Sequence, residues 1–114
     1  MPAKLSFVID CASPEVLAEF WAPALGYQNA GAFGEYIALV AEGAPIFLLQ
    51  RVSEPKQGKN RMHLDIKVPD VEPEVERLVG LGAKRVSAAP VEEHGAQWVV
   101  MTDPEGNEFC VCRD

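Results

Sequence analysis

The chain has 114 residues, 48% of them apolar, and 17 acidic against 10 basic side chains give a net charge of −7 at pH 7. This length and apolar content predict one compact folded domain rather than a disordered chain. The acidic balance argues against a nucleic-acid partner, because neutralising phosphates requires clustered Lys and Arg. No stretch approaches the roughly 20 apolar residues that a membrane span needs, so we expect no membrane partner either.

The cysteines, Cys11, Cys110 and Cys112, are odd in number, and the N-terminus lacks the apolar core of a secretory signal. This pattern is typical of a reducing compartment, so we expect a cytoplasmic protein with free thiols. Cys110 and Cys112 lie two positions apart in a predicted strand. Their Cα atoms are then about 6.5–7 Å apart, which disfavours a disulfide between them.

The first half of the chain predicts a strand, a helix and three further strands. A strand over 4–11 is followed by Ser13 as a helix N-cap and Pro14 at the first helical position. Apolar residues at helical spacing continue to Leu25, and Gly26 ends the helix. Short strands follow near 27–30, 35–41 and 45–52, separated by glycine-containing turns.

The second half repeats this order after a polar connection over 54–60. An alternating strand over 61–68 precedes a helix that Asp70 can cap and Gly82 ends, and strands follow near 84–87, 97–102 and 108–112. Ser6 and His63, in the first strand of each half, are 57 residues apart.

Two further matches support the repeat. Leu25-Gly26 and Leu81-Gly82 are 56 residues apart, whereas Pro14-Glu15-Val16 and Pro73-Glu74-Val75 are 59 apart. The difference predicts that the first helix is about one turn longer than the second. We therefore predict an α+β fold of two tandem βαβββ units, about 1–53 and 60–114, with curved mixed sheets around a shared groove and helices outside. A single α+β domain with chance similarity is the alternative.

Strand alternation assigns faces to the residues. In 61–68 the apolar Leu64, Ile66 and Val68 are expected to meet the helix, which leaves His63 and Asp65 on the opposite face. The same reasoning places Ser6, Glu108, Cys110 and Cys112 on the groove side of their strands and favours Gln50 there. The residues that we expect to bind a ligand are Ser6, Gln50, His63, Asp65, Trp98, Glu108 and Cys110. For Trp98, a core position and an aromatic ligand-binding wall are equally compatible with the pattern.

Several motifs together resemble the glyoxalase / bleomycin resistance / extradiol dioxygenase superfamily, also called the vicinal oxygen chelate superfamily, and in particular its small glyoxalase-like domain branch. The resemblance covers essentially the whole chain and implies a homodimer. The motifs are Phe20-Trp21, Leu25-Gly26-Tyr27, Gln50-Arg51-Val52, Arg61-Met62-His63-Leu64-Asp65, Leu81-Gly82-Ala83 and Asp103-Pro104-Glu105-Gly106-Asn107-Glu108-Phe109.

The resemblance also implies four metal-ligand positions. Metal-dependent members hold a divalent ion with His and Glu side chains from the first and fourth strands of each unit. Carried over to this chain, those positions are Ser6, about Leu48, His63 and Cys110. Leu48 cannot bind a metal and Ser6 is a poor ligand for such ions. We therefore predict a groove without this metal site and without a cofactor.

Two chemical alternatives use the residues that remain. One is a reduced metal site around His63 and Cys110, completed by Asp65 or Glu108. The other is a thiolate nucleophile at Cys110 activated by His63.

Three functions fit the sequence. The first is a bleomycin-resistance-like small-molecule binding protein that sequesters a neutral or cationic ligand, in keeping with the acidic charge. The second is a metal-dependent lyase, isomerase or dioxygenase that uses the reduced site around His63. The third is an interaction module whose groove is closed. The sequence identifies neither the ligand nor any catalytic residue.

Overall fold

The structure is a computed structural model, and it describes residue 2 and residues 4–114. Within these residues the chain forms two helices and nine strands and divides into two compact units, Met1–Lys56 and Gln57–Asp114. The division falls in the polar connection between the two halves of the sequence. Each unit has its own sheet with one helix packed on one face of it, so the predicted α+β class with tandem βαβββ units is confirmed.

The first unit has a four-stranded mixed sheet in the order β1-β4-β3-β2, in which β1 is parallel to β4 and the other pairs are antiparallel. Helix α1 covers one face because its apolar stripe is buried, and the Trp21 ring centroid lies 5.5 Å from that of Phe47. The elements are β1 (Ser6–Cys11), α1 (Pro14–Leu25), β2 (Gln28–Phe33), β3 (Tyr36–Val40) and β4 (Ile46–Arg51).

The second unit has a sheet in the order β5-β9-β8-β6, with β5 parallel to β9 and with β7 also paired to β8. Two short strands, β6 and β7, thus pair with successive parts of β8. The elements are β5 (Leu64–Val68), α2 (Val71–Leu81), β6 (Lys84–Arg85), β7 (Val91–Glu93), β8 (Ala96–Thr102) and β9 (Glu108–Arg113).

Strand β7 was not predicted, because three residues with two charges carry too little periodicity to indicate a strand. The signal that could have found it is His94-Gly95, a two-residue connection between β7 and β8. His94 has φ 53° and Gly95 has φ 79°, and positive φ at both central positions is the property of the type I′ turn that favours tight hairpins.

Both helices begin where the sequence predicts, but the expected side-chain capping does not account for their start. Ser13 and Asp70 occupy the N-cap positions, and among the described residues neither side chain makes a capping hydrogen bond. Pro14 is the first residue of α1, whereas Pro73 is the third residue of α2, so the two Pro-Glu-Val segments are not structurally equivalent. The helices have 12 and 11 residues, and the predicted one-turn difference in length is wrong.

The predicted faces of the second sheet are confirmed. Phe109 and Val111 of β9 are fully buried beneath α2, whereas Asp65 and Lys67 of β5 are exposed. The apolar set of β5, including Ile66, is only half-buried because β5 is the end strand of its sheet. Among the described residues, neither helix is long and apolar enough to cross a membrane.

Candidate functional site

A groove of about 430 Å³ lies on the face of the second sheet opposite α2. Five of the seven residues predicted as site residues line it, together with Cys112. Those five are His63, Asp65, Trp98, Glu108 and Cys110. The structure thus brings these five side chains to one sheet face, and their role in binding a ligand stays a prediction.

Strand register explains which side chains become neighbours. Asp65 of β5 pairs with Cys110 of β9, which in turn pairs with Val100 of β8. The next row joins Cys112 to Trp98. Directly paired residues project from the same face of a sheet, so each row presents its side chains to the groove together.

A cluster of three chemically different side chains lies in this groove, and we call it the donor cluster: His63, Asp65 and Cys110. His63 Nε2 lies 3.2 Å from Asp65 Oδ1. One donor atom from each residue, a ring nitrogen, a carboxylate oxygen and a thiol sulfur, lies within 4.8 Å of the other two. His63 and Asp65 are about half exposed and Cys110 is buried, so the cluster opens to solvent through His63 and Asp65.

Glu108 lies in the same groove, but its negative charge is neutralised by an ion pair with Lys59. Lys59 Nζ donates a hydrogen bond to Glu108 Oε1 at 2.6 Å, and the Glu108 side chain is only 22% exposed. Lys59 belongs to the polar connection before β5, and it was not predicted as a site residue because its partner is 49 positions away in the sequence. Gln97 and Arg113 are lining residues that sequence reasoning also missed.

Both thiols of the groove are held in the neutral form. Burial, with a smaller contribution from the negative charge of Asp65, raises the pKa of Cys110 to about 11. Burial also raises the pKa of Cys112, and a hydrogen bond with Asp65 acts in the same direction. A nucleophilic cysteine needs a lowered pKa, so this environment argues against the alternative of a thiolate nucleophile at Cys110.

The other two predicted site residues, Ser6 and Gln50, belong to the first unit. Phe47 and Leu49 of β4 are buried, which leaves Leu48 and Gln50 on the other face of that strand. Gln50 is directly paired with Asp10 of β1, and the exposed Ser6 alternates with the half-buried Phe7 and Ile9. The expectation that Ser6 and Gln50 face away from α1 therefore agrees with the structure.

Comparison with known proteins gives a consistent result. A model of the glyoxalase-like domain matches residues 6–112. No curated protein sequence matches the chain significantly.

Solved structures share the fold. A glyoxalase/bleomycin resistance protein/dioxygenase family enzyme from Burkholderia phytofirmans PsJN has a TM-score of 0.82 and 21% identity, with 97% of this chain and 98% of that chain covered. A superfamily member from Sphaerobacter thermophilus DSM 20745 has a TM-score of 0.76 and 17% identity over 100% and 98%. A glyoxalase-related enzyme from Fulvimarina pelagi has a TM-score of 0.74 and 21% identity over 98% and 89%. The chain shares its fold with these glyoxalase/bleomycin resistance/dioxygenase proteins, and it belongs to the glyoxalase-like domain family.

Proposed function

We propose that this protein binds a small organic molecule in the groove of its second unit, through direct contacts with side chains. The observation that carries the proposal is the groove itself, about 430 Å³ in volume and lined by Asp65, His63 and Trp98 on one sheet face. Concave sites of this size that combine an apolar wall with a few polar groups are typical ligand sites.

The lining favours a ligand with a planar apolar part and a cationic or neutral polar group. Trp98 is half-buried and offers an aromatic surface, on which flat or cationic groups can stack. Asp65 is about half exposed and offers a carboxylate. Because Lys59 already neutralises Glu108, Asp65 is the carboxylate that we expect a cationic group to reach. The net charge of −7 favours the same class of ligand.

The four metal-ligand positions implied by the superfamily do not form a complete set in this chain. Leu48 has no donor atom, and the hydroxyl of Ser6 is a poor ligand for the ions concerned. His63 and Cys110 are the two of the four positions that hold suitable donors. We therefore propose that ligand binding requires no metal cofactor.

A second candidate function is a metal-dependent lyase, isomerase or dioxygenase of the same superfamily. The donor cluster favours it, because Asp65 adds a third donor beside His63 and Cys110. A divalent ion held by these three side chains would supply Lewis-acid chemistry.

Two further expectations belong to the same proposal. The free cysteines Cys11, Cys110 and Cys112 support a reducing, cytoplasmic location, since none of them forms a disulfide within the described residues. Membership of the superfamily supports a homodimer. Size-exclusion chromatography with light scattering tests the dimer, and a monomer across the micromolar range would contradict it.

The binding proposal is tested on chelator-treated protein. Cationic, neutral and anionic aromatic compounds are screened by tryptophan fluorescence, and hits are measured by calorimetry. A charge-assisted hydrogen bond contributes about 1.5–3 kcal/mol, so Asp65→Asn is expected to weaken a cationic hit roughly ten- to hundredfold. Trp98→Ala is expected to weaken every hit. The matched control is Asp70→Asn, an exposed carboxylate at the start of α2, which should leave affinity unchanged.

Two results would overturn this proposal. One is that Asp65→Asn and Trp98→Ala bind every hit as tightly as the wild type. The other is that a hit binds only after a metal ion is restored, which would favour the second candidate function.

A further inference from the structure

We infer that the groove of the second unit selects an aromatic zwitterion of the amino-acid class, with its ring against Trp98, its ammonium group near Asp65 and its carboxylate near Lys59. This inference rests on the proposed function and narrows the ligand of that site. The chain has a net charge of −7, yet the charges that line the groove are balanced: Asp65 and Glu108 are anionic, and Lys59 and Arg113 are cationic. Balanced local charges favour a ligand that carries both signs and is neutral overall.

The anchoring groups follow one another along β9. Two rows of the sheet are Trp98 paired with Cys112 and Asp65 paired with Cys110. Glu108, which holds the Lys59 ammonium, is two residues further along the same face of β9. Residues two apart on a strand are separated by about 6.5–7 Å. An aromatic surface, a carboxylate and an ammonium group therefore stand in this order along the groove.

Lys59 can bind a carboxylate without leaving Glu108. A lysine ammonium has three N–H donors, and one hydrogen bond of this group is to Glu108 Oε1, at 2.6 Å. The Lys59 side chain is 78% exposed, whereas that of Glu108 is 22% exposed. The accessible charge of this pair is therefore the positive one, and Glu108 acts by positioning the ammonium group.

Asp65 provides the accessible negative charge. Its side chain is 47% exposed, and the contact of Oδ1 with His63 Nε2, at 3.2 Å, orients the carboxylate. Burial raises the pKa of Cys110, the charge of Asp65 adds to this rise, and the charge of Lys59 opposes it. Both charges thus lie within electrostatic range of the same sulfur, which places opposite charges close enough to serve the two ends of one small ligand.

A different use of Lys59 is as a tethered competitor, whose ammonium would occupy Glu108 until the ammonium of a ligand displaced it. The exposure of the pair argues against this use, because a ligand would have to reach the less accessible member. The two uses predict opposite effects of removing Lys59. A competitor's removal strengthens the binding of a simple amine, whereas a carboxylate anchor's removal weakens only ligands that carry a carboxylate.

The test compares three indole compounds that share a ring and differ in charge: tryptophan, tryptamine and 3-indolepropionate. Titration calorimetry on the full chain, treated with chelator, is expected to give the highest affinity for tryptophan. The carboxylate gain, which is the affinity ratio of tryptophan to tryptamine, should be about three- to tenfold because the Lys59 ammonium is exposed. The ammonium gain, which is the ratio of tryptophan to 3-indolepropionate, should be about ten- to hundredfold.

Variants assign each gain to a side chain. Lys59→Gln should reduce the carboxylate gain to about one and leave tryptamine binding unchanged, whereas Lys59→Arg should retain most of the gain. Asp65→Asn should remove most of the ammonium gain. The matched control is Arg77→Gln, because Arg77 is also ion-paired with a glutamate but belongs to α2, on the other side of the sheet. It should leave both ratios unchanged, and circular dichroism confirms that each variant is folded.

The inference is overturned if tryptamine binds as tightly as tryptophan, or if Lys59→Gln keeps the full carboxylate gain. It is also overturned if Arg113→Gln removes that gain in place of Lys59→Gln, or if Lys59→Gln tightens tryptamine binding as a tethered competitor would. Failure of this inference and failure of the proposed function are distinguishable. Aromatic amines that bind through Asp65 and Trp98 with no carboxylate gain would contradict only the inference, whereas the absence of binding by any aromatic compound would contradict both.

Discussion

Replacing Asp103 by alanine should destabilise the second unit, because this carboxylate organises the turn that leads into β9. Asp103 is 2% exposed. Its Oδ1 accepts hydrogen bonds from the backbone N–H groups of Glu105 and Asn107, both at 2.9 Å. The Asn107 side-chain amide donates to both oxygens, at 3.1 and 2.9 Å. The same turn delivers Glu108 and Cys110 to the groove.

The magnitude follows from the donors that lose their acceptor. A buried donor left without a partner costs about 1–3 kcal/mol, and Asp103→Ala deprives two backbone N–H groups and one amide of theirs. Glu105 and Asn107 are only half-buried, so water replaces part of the loss. We expect the free energy of unfolding to fall by about 2–4 kcal/mol. Asp103→Asn keeps one acceptor oxygen and should lose about half as much.

The assay is urea unfolding followed by circular dichroism, with the slope of the transition compared among variants to check that the exposed surface is unchanged. The control is Asp70→Ala, since Asp70 is exposed and its side chain makes no capping hydrogen bond within the described chain. We expect that control to change the unfolding free energy by less than about 0.5 kcal/mol. If Asp103→Ala is as stable as Asp70→Ala, the argument about the turn is wrong.

Three other predictions test the faces, the thiol and the acid response. Phe109→Ala should lower the unfolding free energy by about 3–5 kcal/mol because the ring is fully buried. His63→Ala should change the unfolding free energy by less than about 0.5 kcal/mol. If urea unfolding shows the larger loss of stability for His63→Ala, the two sheet faces have been assigned the wrong way round. Cys110 has a pKa of about 11, so at pH 8 it should react with iodoacetamide more than about 100-fold more slowly than a free cysteine. The rate of this reaction should rise about tenfold per pH unit. Rapid labelling of Cys110 at pH 8, measured by mass spectrometry, would refute this prediction. Arg77 lowers the pKa of Glu74 below its ordinary value of 4.5. The stabilisation from this pair should therefore be complete above pH 4.5 and be lost as the pH falls further, because the unfolded state binds more protons in that range. The unfolding free energies of wild type and Arg77→Gln should converge in acid, and a difference that stays constant with pH would contradict the assignment.

Much of the fold could be predicted from the sequence because it depends on local patterns. Helix α1 ends at Gly26 because glycine adopts the left-handed conformation there, with φ 71°. The period-2 alternation over 64–68 predicts Asp65 and Ile66 on opposite faces, and in the structure Asp65 is exposed while Ile66 is half-buried. The turn chemistry of 103–107 likewise predicted a tight connection, and the structure adds that the Asp103 carboxylate holds it together.

The sequence was a weaker guide wherever a feature depends on contacts between distant segments. Strand β7 exists because it pairs with β8 across the His94-Gly95 turn, and its own three residues carry no strand signal. The extra length predicted for α1 came from matching Pro14 with Pro73, two prolines at different helical positions. Identical residues in two segments do not fix equivalent positions, because proline is tolerated throughout the first helical turn.

By itself, the sequence determined the order of the elements other than β7, the two-unit organisation and which side chains share a sheet face, because these follow from periodicity and turn chemistry within short stretches. Only the tertiary structure decided that Asp65 lies directly beside Cys110, that Lys59 neutralises Glu108 and that burial raises the pKa of Cys110. Each of these depends on distances and solvent exclusion between residues far apart in the chain. Alternation places a side chain on a face, whereas strand register decides which side chain stands next to it.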